Sequence, residues 1–119
     1  MTTPAPLDGD DLRDRLRDSL TGLPNRVAFD EAIDVAIESG KTGFGVLILN
    51  LSRFSRINES LGSTSGDELL ITVARRFVSA LRPRDLLARV GGNEFGILVD
   101  RAEGADDIVE VARTLQAAL

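Results

Sequence analysis

The chain has 119 residues, 43% of them hydrophobic and 28% charged, with a formal net charge of −5. That is enough for one compact domain with one core, and its composition is that of a globular protein rather than a disordered one. The absence of Cys and His excludes disulfides, thiolate metal sites and imidazole catalysis, and an acidic chain without Trp or Tyr is a poor nucleic-acid binder.

Met1 to Gly9 holds Pro4, Pro6 and Gly9 and reads as a loose tail. Asp10 to Arg17 sets Leu12 and Leu16 four apart among acids and arginines, which predicts a short helix with Asp–Arg pairs on its exposed face. No basic leader precedes it, and the longest apolar run, Val46 to Leu49 with Phe44 just upstream, is far too short to span a bilayer. A cytoplasmic protein with no membrane partner is the expectation.

Asp18 to Arg26 reads as a turn entering a helix, punctuated by Gly22 and Pro24. Over Val27 to Ser39 the helical spacing puts Phe29, Ala32, Ile33, Ala36 and Ile37 on one face, with Gly40 as the stop. Gly43 to Leu51 is nearly continuous apolar sequence and reads as a strand covered on both faces, with polar Asn50 at its exit. Arg53 to Gly62 reads as a short helix, and Asp67 starts a long one reaching about Leu81, with Leu69, Leu70, Val73, Phe77 and Leu81 inward. Arg82-Pro83-Arg84-Asp85 stops that helix. Two apolar strands around Arg89-Val90-Gly91-Gly92-Asn93-Glu94-Phe95 then form a hairpin, because Gly and Asn tolerate the positive φ of a tight turn. A last helix begins near Asp106, with Ile108, Val111, Ala112 and Leu115 inward.

Two stretches carry a resemblance. Asp18-Ser19-Leu20-Thr21-Gly22-Leu23-Pro24-Asn25-Arg26 keeps every fixed residue of Asp-x-Leu-Thr-Gly-Leu-x-Asn-Arg, and Gly91-Gly92-Asn93-Glu94-Phe95 is similar to Gly-Gly-Asp/Glu-Glu-Phe. Together they resemble the GGDEF domain of the diguanylate cyclase family, which makes cyclic di-GMP from two GTP. The resemblance implies an α/β (α+β) fold: a largely antiparallel, ferredoxin-like (polymerase-palm) sheet with packed helices. It divides the chain into a tail and short helix over 1–17 and a shortened, degenerate GGDEF domain over 18–119 that lacks the family's final strand.

The resemblance also assigns roles. The family's two metal carboxylates match Asn50 and Asn93, both amides, so the metal site reads as lost; the phosphate-side Lys matches Ser55. Glu94 survives at the hairpin tip. Guanine recognition matches Asn58 and Asp67, although Asp67 suits a helix cap equally well. The inhibitory Arg-x-x-Asp of the family matches Arg82 and Asp85, five residues before the signature loop, with Arg113 where some members supply a second Arg. Arginine forks suit the phosphate and guanine of cyclic di-GMP, though Arg-Pro-Arg-Asp also suits a plain helix end.

The function expected from this pattern is a non-catalytic module binding cyclic di-GMP through Arg82 and Asp85. The alternatives are a weak or partner-dependent cyclase taking GTP, and an interaction protein modulating an intact cyclase. No cofactor is expected, with Mg²⁺ needed only for residual GTP binding. Without its final strand the Gly43–Leu51 edge is expected to drive self-association or pairing with another GGDEF domain.

Overall fold

The computed structural model describes residues 15–40, 43–51, 63–100 and 104–119. The expected N-terminal tail, most of the Asp10–Arg17 helix and the Arg53–Gly62 helix lie outside them. The described elements run helix, strand, helix, strand, strand, helix.

Helix α1 spans Arg26–Glu38. Asn25 caps it from extended backbone: its side-chain oxygen accepts from the Ala28 N–H at 3.0 Å, satisfying a donor the helix cannot reach. At the other end Gly40 takes φ 68° and donates to the Ile37 carbonyl at 3.1 Å, a left-handed stop that Gly adopts without strain. Phe29 and Ala36 are buried, but Ile37, expected inward, is 61% exposed. At about 100° per residue it stands ~80° round the helix from Phe29, beyond the stripe that meets the sheet.

Strands β1 (Gly45–Asn50), β2 (Leu86–Arg89) and β3 (Glu94–Val99) form one sheet in the order β1-β3-β2. Both pairings are antiparallel, with Asn50 opposite Glu94, Ile48 opposite Gly96 and Arg89 opposite Phe95. Central β3 buries Phe95, Ile97 and Val99 completely. Helix α1 packs on β2 and β3, and the Phe29 ring lies where a Gly96 side chain would be, 2.7 Å from an ideal Cβ. On β1 burial alternates: Leu47 and Leu49 join the core, whereas Val46 is 42% and Ile48 50% exposed. The expectation of a strand covered on both faces is therefore corrected. The apolar run hides an alternation because α1 packs on β2 and β3, and among the described residues no element covers Val46 and Ile48 as fully as α1 covers Gly96.

Helix α2 (Ser63–Ala80) covers the opposite face with Leu70, Val73, Ala74 and Phe77 buried. Phe77 meets Phe95 edge to face, centroids 5.3 Å apart, an arrangement worth about 0.5–1.5 kcal/mol beyond its burial. The helix starts four residues before the expected Asp67, which lies in its second turn and does not cap it. Helix α3 (Ala105–Ala118) packs against α2 and β1 through Leu115, Ile108 and Val111, with Asp106 and Asp107 in its first turn. No described helix is long and apolar enough to cross a membrane.

Candidate functional site

Strand β3 has chemistry at both ends. At its start the antiparallel register brings Asn50, the last residue of β1, beside the Val90–Asn93 loop. The Asn93 side-chain N–H₂ donates to Asn50 Oδ1 at 2.8 Å and to the Leu51 carbonyl at 3.1 Å. The Leu51 N–H donates back to the Asn93 carbonyl at 2.9 Å. Across the loop, the Val90 N–H donates to the Glu94 carbonyl at 3.0 Å. Neither Gly91 nor Gly92 has positive φ, contrary to the tight-turn expectation. With four residues between the strands the chain reverses without a mirror-image turn. A Cβ on Gly92 would meet nothing within 4 Å, so neither conformation nor packing inside the chain demands that glycine.

The loop is also held from behind. Arg89 at the end of β2 donates from Nη2 and Nε to the Gly92 carbonyl at 2.9 and 3.3 Å, and from Nη1 to the Asp18 carboxylate at 3.0 Å. Asp18 in turn accepts the Thr21 hydroxyl at 2.7 Å and the Thr21 N–H at 2.9 Å. Partial burial pushes the Asp18 pKa up. The two Thr21 bonds and the Arg89 charge outweigh that and hold it below the ordinary aspartate value. The turn backbone closes the connection: Arg89 N–H donates to the Pro24 carbonyl at 3.0 Å, and Asn25 N–H to the Leu16 carbonyl at 2.8 Å. The Asp18–Arg26 motif is thus an anchor for the loop, a role its residues alone did not disclose. Asp18 and Arg89 are 71 positions apart, and only the fold joins them.

At the far end of β3, Arg82 and Asp85 form a two-toothed ion pair: Nε to Oδ2 at 2.9 Å and Nη2 to Oδ1 at 3.0 Å. The Asp85 side chain is wholly covered, while Arg82 keeps 35% of its side-chain surface. Arg82 Nη2 also donates to the Asp100 carbonyl at 3.1 Å, and the Asp100 N–H donates to Asp85 Oδ1 at 3.2 Å. The hydrogen bonding of Arg82 to the Asp85 carboxylate is the largest influence on the guanidinium and, against partial desolvation, raises its pKa. None of the described hydrogen bonds uses Arg82 Nη1. The pair borders a shallow hollow between α2 and α3, lined by Leu81, Asp107, Glu110, Val111 and Thr114. Arg113 is exposed on α3 and is not in that lining.

The other expected site residues fall apart. Asn58 and Ser55 lie outside the described residues. Asp67 is exposed on α2. Glu94 is half-buried beside a second hollow with Arg26, Phe29, Asp30, Ile48 and Val90. Asn50 and Asn93, which the resemblance matches to the family's metal carboxylates, do not suit Mg²⁺. That ion takes oxygen ligands in a near-ideal octahedron, from the protein usually one or two carboxylates, whereas Asn50 and Asn93 are neutral and one turns its nitrogen to the other. Among the described residues no cluster of three or more acidic, His or Cys side chains could hold a metal.

Residues 15–119 match the family model described as "Diguanylate cyclase, GGDEF domain". Among curated proteins, the chain is 44% identical over 103 residues to the cyclic di-GMP phosphodiesterase NbdA of Pseudomonas aeruginosa, covering 83% of this chain and 13% of that protein. It is 35% identical over 105 residues to the diguanylate cyclase TpbB of the same species, covering 86% and 24%. Among solved structures, the coiled coil and GGDEF domain of DgcB from Caulobacter crescentus, in complex with c-di-GMP, superposes with a TM-score of 0.80 at 28% identity. That match covers 89% of this chain and 56% of the other. The chain spans about a quarter or less of the length of the curated relatives it matches.

Proposed function

The chain belongs to the GGDEF (diguanylate cyclase) family, and on that premise we propose that it is a nucleotide-binding module of cyclic di-GMP signalling without cyclase chemistry of its own. The observation that carries this reading is a difference in charge between the ends of β3. Joining two nucleoside triphosphates requires cations that neutralise phosphate and hold the departing pyrophosphate. Asn50 and Asn93 bring no negative charge to recruit them. At the other end a guanidinium is kept, fixed by a buried carboxylate, with its Nη1 edge unused by the described bonds. In this reading Arg82 meets a phosphate or a guanine of cyclic di-GMP, and Asp85 holds it in the orientation to do so.

The test has two arms. Incubation with GTP and Mg²⁺ is expected to give no cyclic di-GMP, and clear turnover by the pure protein overturns the non-catalytic half. Calorimetric titration with cyclic di-GMP is expected to show binding that Arg82→Ala weakens by roughly one to two decades, the equivalent of ~1.5–3 kcal/mol for a charge-assisted contact. Absence of binding, or equal affinity in the variant, removes the receptor half.

A second reading, an interaction module, draws on one observation: β1 lies at an edge of the described sheet and exposes Val46 and Ile48. A second copy or another GGDEF domain pairing along β1 would satisfy that edge. Light scattering decides: a dimer supports it, and a monomer with strongly protected β1 amides opposes it.

A further inference from the structure

We propose that the Asn50–Asn93 amide pair is a cation-independent latch, holding the signature loop on β1 in the place where the family uses a metal ion. Two carboxylates so close repel each other unless a cation lies between them. Two amides need none, because each carries both a donor and an acceptor. Here the Asn93 nitrogen faces the Asn50 oxygen at 2.8 Å, and the same nitrogen reaches the Leu51 carbonyl at 3.1 Å. A cation entering between them would break a formed hydrogen bond and gain no opposite charge.

The two substitutions are therefore read as one exchange. Attraction through an ion is replaced by direct attraction between side chains. The loop is then gripped from two sides, by Asn50 on Asn93 and by Arg89 on the Gly92 carbonyl. Its position on β1 no longer depends on nucleotide or metal supply. This inference stands apart from the Arg82 reading, since it concerns the opposite end of β3 and is unaffected by whether cyclic di-GMP binds.

Two measurements on the full chain test it. Melting is followed in EDTA and in millimolar Mg²⁺ or Mn²⁺. The wild type is expected to melt at the same temperature in both, while Asn50→Asp with Asn93→Asp melts lower in EDTA and recovers with the cation. A wild-type melting point raised by Mg²⁺ overturns the latch, as does a double variant indifferent to EDTA. Should the double variant fail to fold, hydrogen exchange at the Leu51 N–H, which donates to the Asn93 carbonyl, gives the answer from alanine variants. Asn50→Ala alone is expected to speed exchange about two- to fivefold, reflecting one modest, partly solvated hydrogen bond. Added to Asn93→Ala it should do nothing further, because its partner is already gone. If it instead speeds exchange by the same factor in both backgrounds, the two amides are independent and the latch is refuted.

Discussion

The two ends of β3 hold their neighbours by opposite means. At the Glu94 end, two neutral amides join β1 to the loop at the surface of the sheet. At the Val99 end, an arginine and a fully covered carboxylate join the end of α2 to β2 and to Asp100. A neutral pair is inexpensive to bury and modest in strength. A charged pair with one buried member costs more to form and far more to break. The difference teaches where charge sits around β3: the two facing amides at the loop end carry none, while the α2–β2 corner holds an arginine fixed by a covered carboxylate.

The comparison is broken most severely by Asp85→Ala. It leaves the Asp100 N–H without its carboxylate and the Arg82 guanidinium without its fork partner. Loss of a fully buried partner costs about 3–5 kcal/mol. Because Arg82 is one-third exposed and regains water, the expected loss is nearer ~2–3 kcal/mol. Urea unfolding measures it, and a loss below about 1 kcal/mol would show that the corner contributes little to the fold.

Asp18→Asn comes next, because it weakens the brace behind the loop without touching the amide pair. Removing the charge from bonds to Thr21 and Arg89 is expected to cost roughly 1–2 kcal/mol at neutral pH. Its pH dependence identifies the cause. The folded-state pKa of Asp18 is depressed, so its contribution is complete above the ordinary value of 3.8 and is lost as pH falls through the lower folded value. Wild type and variant should therefore converge in acid. A stability gap that stays constant down through that window would assign the effect to shape rather than charge.

The smallest effect is expected from Asn50→Ala, below about 1 kcal/mol, since the bond it removes is partly solvated. Measured beside Asp85→Ala under the same conditions, it sharpens the contrast between the two ends. A larger loss from Asn50→Ala than from Asp85→Ala would invert it.

Most of the fold was legible because its signals are local. Gly40 closes α1, period-3.6 spacing marks α2 and α3, and the hairpin strands lie close on either side of their loop. What escaped was decided by neighbours. The exposed apolar positions of β1, Val46 and Ile48, are as apolar as the partly buried Leu47 and Leu49, so no alternation is visible in the sequence. The start of α2 was misplaced because Ser63-Thr64-Ser65-Gly66 has the composition of a loop, and the packing of Leu70, Val73 and Phe77 carries the helix back through it. At the site, Arg82 and Asp85 stand three apart and could be paired by eye. The contribution of Asp100, fifteen residues beyond Asp85, depends on the path of β3. The resemblance marked Asn50 and Asn93 as one site, but their direct hydrogen bond across 43 positions follows from the register of β1 on β3.

The central claim, that nucleotide-binding capacity resides at the Arg82 end of β3 and not at the loop, is tested most directly by titrating cyclic di-GMP into isotope-labelled protein and following backbone amide shifts. The account predicts saturable changes over Arg82–Leu86, at Asp100 and over Asp107–Thr114, with Gly91–Glu94 unmoved. Changes concentrated at Gly91–Glu94, with Arg82 and Asp100 silent, would contradict it.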